Sequence, residues 1–339
     1  MRVTARGPGR VNLIGEHTDY NAGLALPFAI DRGVTVTAEP ADEFQAYAKD
    51  LGEHDSFPLG NRDPSTGWRA FVRGMVAELQ DAGYALKPAR LEIEGDLPRG
   101  SGLSSSAALS TALALALIEL AGAKPPEDLR ELAKLCSRVE NEWVGQKTGL
   151  MDQFAALLGS PEHALRIDFK TLDVTPTPLE LGDWRLVTVE SGASHTLAAS
   201  GYNERRAECD AACDELGIGS LREATVDDLG KLGCVLRKRV RHVITENARV
   251  DAMAEALAAH DLEQAGTLLD ESHASLRDDY ESSVPEVEET VERLKDGGAA
   301  GARMVGGGFG GSVLALLRPG SALPAGAVVV APGPAAALL

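Results

Sequence analysis

Leu97-Pro98-Arg99-Gly100-Ser101-Gly102-Leu103-Ser104-Ser105-Ser106 stands between a short β pattern, Leu91-Glu92-Ile93-Glu94, and an Ala/Leu-rich run that reads as a helix to about Ala121. A helix opening on such a loop presents unpaired backbone N–H groups and about half a unit of positive charge. Glycines let a phosphate approach that backbone closely. The hydroxyls of Ser104, Ser105 and Ser106 can cap the helix, donate to a phosphate or ligate Mg²⁺. A plain serine cap above a glycine turn would use the same residues. The Gly-Lys-Ser/Thr ending of a P-loop is absent. Residues 100–118 carry no charge, but hydroxyl residues interrupt them. Their strictly apolar part is far shorter than the ~20 residues of a membrane span, so they read as a buried helix.

Upstream, residues 10–23 mix Gly, Asn, His, Asp and Tyr and read as a loop. Val34-Thr35-Val36-Thr37 alternates and is β-branched, which predicts a strand. Trp68, Phe71, Val72, Met75 and Leu79 recur at helical spacing, with Gly83 placed as a cap. Downstream, Leu129, Leu132, Cys136, Val139 and Trp143 mark one helix, and residues 165–169 and 186–189 read as strands. Residues 204–216, 235–260 and 262–269 are charged amphipathic helices. Another helix opens at Ser283 and Pro285 and ends near Gly297. Gly306-Gly307-Gly308-Phe309-Gly310-Gly311 formally fits G-x-G-x-x-G. A dinucleotide fingerprint must open a helix, however, and Ser312-Val313-Leu314-Ala315-Leu316-Leu317 reads as a strand. A tight strand–loop–strand turn near a ligand, or a purely structural turn, is expected there. Residues 326–331 form a last strand. This irregular interleaving predicts an α+β fold. Pro176 and Pro178 interrupt the pattern, placing a domain boundary between Thr171 and Trp184 and giving domains 1–178 and 179–339.

The 339 residues are 44% apolar and 25% charged, an ordinary composition for a folded soluble chain. Lys and Arg number 33 against 51 Asp and Glu, a formal net charge of −18. That balance argues against nucleic acid and anionic membrane as partners, since both need a basic face. Four cysteines are too few for a disulfide framework at this length. With no apolar stretch after Met1-Arg2-Val3-Thr4, the expected location is cytoplasmic.

Glu16-His17-Thr18-Asp19 sets two carboxylates and an imidazole within four residues. Carboxylates accept hydrogen bonds from neighbouring hydroxyls, which suits a sugar, although acidic turns are often only solvated. Asp152, within Gly149-Leu150-Met151-Asp152-Gln153-Phe154, is an acid among apolar residues. A buried acid needs a partner or a task, though capping a helix from Gln153 would also account for it.

These pieces resemble the galactokinase family of GHMP small-molecule kinases. Pro8-Gly9-Arg10-Val11-Asn12-Leu13-Ile14-Gly15-Glu16-His17-Thr18-Asp19-Tyr20-Asn21 is similar to the family signature. Residues 97–109 are similar to the ATP motif of the superfamily. Ser272-His273 with residues 301–311 is similar to its C-terminal glycine motif. Gly201-Tyr202-Asn203-Glu204-Arg205-Arg206 adds to the likeness. Ser312 departs from the expected Cys, and Pro285-Glu286-Val287-Glu288 replaces the more usual Pro-Glu-Leu-Asp.

The resemblance implies a two-domain GHMP kinase fold, with a ribosomal protein S5 domain 2-like N-terminal domain and a ferredoxin-like C-terminal domain. It implies transfer of a phosphoryl group from ATP to the C1 hydroxyl of α-D-galactose by a monomer. Asp152 would be the base and Arg10 would sit beside the hydroxyl and the γ-phosphate. Glu16, His17, Thr18, Asp19, Gly149 and Tyr202 would line the sugar, with His17 alternatively orienting the loop and Tyr202 alternatively packing. Gly100, Ser101, Gly102, Leu103, Ser104, Ser105 and Ser106 would wrap the ATP phosphates. Ser106 and Glu140 would hold Mg²⁺, with Glu142 the rival to Glu140. Alternatives are a GHMP kinase acting on another substrate, such as N-acetylgalactosamine, mevalonate or homoserine, and a non-catalytic galactose- and ATP-binding regulator.

Overall fold

The computed structural model describes residues 2–98, 102–193 and 198–339. Its first sheet has the order β13–β1–β3–β6–β4–β5. These strands are β1 (Val3–Asn12), β3 (Pro27–Pro40), β4 (Phe44–Ala48), β5 (Glu53–Phe57), β6 (Ala89–Gly95) and β13 (Ala337–Leu338). The loop expected at residues 10–23 is therefore a strand as far as Asn12. Within β1 the small residues Gly7 and Gly9 let other parts of the chain lie close on the strand. A Cβ on Gly7 would stand 2.1 Å from the Ala108 carbonyl oxygen. The helix holding Ala108 is α2 (Ser105–Leu120), the predicted Ala/Leu run, and its residues 107–118 are all buried. It packs against β1 and β3 and also against α1 (Trp68–Asp81), α3 (Leu129–Arg138) and α4 (Met151–Leu158). Contact on many sides is why it is apolar all round.

A second, three-stranded sheet joins β2 (Leu24–Ala25), β7 (His163–Asp168) and β8 (Asp173–Pro178). Pro176 and Pro178, read as interruptions, lie in β8, which among the described residues pairs only with β7. An edge strand tolerates proline because its outer N–H positions need no partner.

The third sheet runs β10–β11–β9–β12, with every neighbouring pair antiparallel. Its strands are β9 (Arg185–Glu190), β10 (Ala299–Met304), β11 (Ser312–Leu317) and β12 (Val328–Val330). The chain crosses from β9 to β10 through α5 (Ala198–Leu216), α6 (Cys234–Ala258), α7 (Leu262–Asp278) and α8 (Pro285–Asp296). This is the strand pairing of a ferredoxin-like unit, with residues 318–327 linking β11 to β12 without a helix. Helix α7 runs nine residues beyond the predicted 269, because Ser272, His273, Ser275 and Leu276 continue its buried face.

We propose that the division into domains falls at residue 178, where β8 ends and the next strand enters a different sheet. The tail crosses that line, contrary to a simple two-segment split. Gly333 N donates to Ala29 O, Leu339 N donates to Thr4 O, and β13 pairs with β1. A buried cluster holding Val11, Leu13, Ile14, Leu24 and Phe28 with Val250, Met253, Leu269, Leu314 and Leu316 joins the halves.

Candidate active site

A cleft at this seam is lined by Arg10, Glu16, His17, Asp19, Gly102, Leu103, Ser104, Ser105, Ser106, Glu140, Gly149, Asp152, Tyr202 and residues 305–308. Most of the residues singled out from sequence therefore meet in one place. Gly100 and Ser101 lie outside the described residues.

Arg10 leaves β1 buried and grips Asp152 with two parallel bonds, Nε to Oδ1 at 2.7 Å and Nη2 to Oδ2 at 3.0 Å. Its Nη1 donates to Gly102 O at 2.7 Å, tying the phosphate-loop candidate to the same cation. Burial opposes the Arg10 charge, but Asp152 and then Glu16 hold its pKa above the usual value. The two alternative readings of nearby caps fall away. Ser104 precedes α2 in a left-handed conformation, φ 59° and ψ 50°, and makes no side-chain cap bond. Its hydroxyl donates instead to Asp152 Oδ2. Asp152 sits within the first turn of α4, after the cap position at Leu150, and its carboxylate faces Arg10 rather than the helix backbone.

Asp19 opens a short 3-10 turn, residues 19–21, and accepts from the Tyr20 N–H at 2.9 Å. Burial, then repulsion from Asp152, pushes its carboxyl up to about 6. Gly149 is glycine because Asp19 presses on it: an added Cβ would lie 2.0 Å from Asp19 Oδ2. His17 is held at φ 61°. Its Nδ1 meets Tyr20 Oη at 2.8 Å, and its ring lies 5.2 Å from that of Tyr202 and 4.5 Å from that of Tyr280. Burial, with His242 nearby, brings its pKa down to about 3, so the ring is neutral. Thr18 is a correction. Its hydroxyl donates to Gly15 O at 2.8 Å and Leu24 O at 2.6 Å, and it is absent from the cleft wall. It braces the loop from within, because the reversal at 15–24 leaves carbonyls that need a donor.

Glu140 lies in a π-helical turn, residues 139–144, that replaces the continuous helix expected there. Such turns redirect side chains and cluster at functional sites. Its Oε2 accepts from Gln153 Nε2 at 2.9 Å and Thr148 Oγ1 at 3.1 Å. Burial, then Asp152, raises its carboxyl, with the Ser106 hydroxyl partly offsetting this. Glu142 is exposed and off the cleft.

Arg303 falls within the 301–311 glycine motif, but nothing in the sequence gives it a role at the site. It is fully buried and donates through Nη2 to Glu16 Oε1 at 2.8 Å, where Gly306 N also donates at 2.8 Å. The glycine run, read as a turn near a ligand, was the available signal.

Comparison with known proteins defines the class first. The descriptions "GHMP kinases N terminal domain" and "GHMP kinases C terminal" match residues 70–160 and 253–331, so the two halves have the layout of small-molecule kinases of that superfamily. A mevalonate kinase of Methanococcus jannaschii shares the fold, with a TM-score of 0.63 and 19% identity over 94% of this chain and 90% of that one. The "Galactokinase galactose-binding signature" matches residues 2–40. A galactokinase of Thermotoga neapolitana is 42% identical over 95% of this chain and 90% of its own length. One from Roseiflexus is 42% identical over 94% and 84%. A structure of Lactococcus lactis galactokinase complexed with galactose matches with a TM-score of 0.91 and 33% identity, covering 100% of this chain and 95% of that one. The chain belongs to the galactokinase family.

Proposed function

We infer that the seam cleft carries the ATP-dependent phosphorylation of galactose, giving galactose 1-phosphate and ADP. The observation that supports this most is the bidentate Arg10–Asp152 pair, set between the N-terminus of α2 and the acids of the 16–19 loop. The unpaired N–H groups of α2 suit a polyphosphate, and the acids suit a polyol.

Phosphoryl transfer depends mainly on positioning and charge stabilisation. In this reading Asp152 receives the proton of the C1 hydroxyl while that oxygen bonds to the γ-phosphorus and the bond to ADP breaks. Arg10 orients Asp152 and offers a fixed cation toward the phosphoryl oxygens. Each carboxylate oxygen has two lone pairs, so Asp152 can accept from the sugar while still bonded to Arg10 and Ser104. Glu16 and Asp19 take further sugar hydroxyls, with Gly149, Tyr202 and neutral His17 shaping the wall. Gly102, Leu103, Ser104, Ser105 and Ser106 line the phosphate side.

Ser106 and Glu140 would hold Mg²⁺. An oxygen-only pair suits the ion, which keeps several waters. Glu140 is a buried carboxylate whose hydrogen bonds come from neutral groups, Thr148 and Gln153, and a cation would relieve it. When bound, the ion neutralises charge on the triphosphate. An ADP-release assay over a panel of sugars tests the reading. Turnover is expected with galactose and weak turnover with glucose, whose C4 hydroxyl is equatorial. Turnover with another sugar but not galactose would overturn it.

A further inference from the structure

We propose that Arg303 is a positioning residue for sugar binding, acting through Glu16. The inference rests on the proposed role of Glu16 at the sugar. Glu16 comes from the first half of the chain and Arg303 from β10 in the second, yet the two side chains form an ion pair with exposures of 0% and 2%. Arg303 Nη2 also donates to Asn12 O at 2.5 Å, fixing the strand end from which the loop departs. The Gly306 N–H shares Oε1 of Glu16 with Arg303. One carboxylate oxygen is thus committed to the protein, in a residue that also lines the cleft.

The backbone of the same loop is held as well. His242 Nε2 meets Glu16 O at 3.1 Å and His242 Nδ1 meets Ser275 Oγ at 2.9 Å. A carbonyl can only accept, so Nε2 carries the proton and Ser275 donates to Nδ1. Gly15 N donates to Glu246 Oε1 at 2.9 Å, and Ser272 Oγ donates to the same oxygen. Glu16 is therefore immobilised at its backbone and at one side-chain oxygen before any sugar arrives. Pre-orientation of this kind lowers the ordering cost of binding.

Stability alone does not account for the arginine. Buried ion pairs often contribute no more than well-packed apolar residues. Moreover, Arg303 Nε and Nη1 make no hydrogen bond among the described residues, which counts against the fold. An arginine kept under those terms points to work done on Glu16.

Steady-state kinetics of the wild type, R303K, R303M, E16Q and the E16Q/R303M double variant test this. R303M is expected to raise the galactose KM about tenfold or more, with the ATP KM changed no more than about twofold. R303K, which restores the charge, is expected to recover part of the loss. The double variant is expected to be no worse than E16Q, because both changes remove the same interaction. A galactose KM within twofold of wild type in R303M overturns the proposal, as does a double variant showing the product of the two single effects. Should R303M fail to fold, R303Q, which also removes the charge, decides by the same twofold limit on galactose KM. Wild type inactive on galactose would sink the functional reading itself. An E16Q variant with unchanged galactose KM would leave that reading standing and remove this one.

Discussion

Asp152 is the residue on which the chemistry turns. Arg10 grips both of its oxygens and Ser104 donates to Oδ2, so its carboxylate has one orientation before substrate enters. Asp152→Ala is expected to lower kcat by about 10²–10⁴ while galactose affinity is largely kept, read by steady-state kinetics beside equilibrium binding of the sugar. Loss of binding with kcat preserved would reassign it. Asp19 carries a pH signature, since its carboxyl is pushed up to about 6. Its ionised form accepts sugar hydroxyls, so kcat/KM for galactose is expected to fall as the pH drops through about 6, and Asp19→Asn to remove that step. The stability sign is opposite. The fold favours the neutral acid, so the Asp19 contribution is full below about 4 and is lost as the pH rises through about 6. At the metal, Glu140→Gln is expected to raise the Mg²⁺ concentration needed for half-maximal rate, and Glu142→Gln, exposed and off the cleft, to leave it unchanged.

The elements show which parts of the fold can be read without coordinates. The helices α1, α2, α6 and α8 were legible because a 3.6-residue period or an unbroken apolar run leaves little else to form. The glycine turn between β10 and β11 was legible because β-branched and apolar residues flank it. Strands β1, β4, β5 and β8 were not. In β1 the glycines serve chain segments that lie close on the strand, and in β8 the prolines are permitted only by its place at a sheet edge. Both are facts about neighbours. The cleft was more legible than the sheets, since its residues sit in short dense motifs. Arg303 escaped because a charge in a strand reads as solvated, and its partner Glu16 lies 287 residues away. The β1–α2 contact gives a direct test. Gly7→Ala is expected to cost about 1–3 kcal/mol or more by overpacking against Ala108, seen as a lowered Tm. Gly230→Ala, with nothing within 4 Å of the added carbon, is expected to leave Tm nearly unchanged. Equal Tm values for the two variants would contradict the packing described.

At the scale of the molecule, three sheets and their helices meet around one seam, and the site is assembled from both sides of it. Each half has a buried apolar core, and a third cluster joins Val11, Ile14 and Phe28 to Met253, Leu269 and Leu314 across the seam. The C-terminal tail adds a strand to the first sheet. Unfolding is therefore expected as one cooperative transition, coincident by far-ultraviolet circular dichroism and by tryptophan fluorescence. Two separated transitions would mean the halves are independent. Among the described residues no helix is long and apolar enough to cross a membrane, consistent with α2 being wrapped by protein. Phosphorus NMR of the protein mixed with ATP, Mg²⁺ and galactose tests whether the seam cleft transfers a phosphoryl group to the anomeric hydroxyl using Asp152. Stoichiometric ADP and a single sugar phosphate at C1 are expected from the wild type, and neither product on the same timescale from Asp152→Ala. A phosphate at another carbon, or an Asp152→Ala variant as fast as wild type, would contradict this role for the cleft and Asp152.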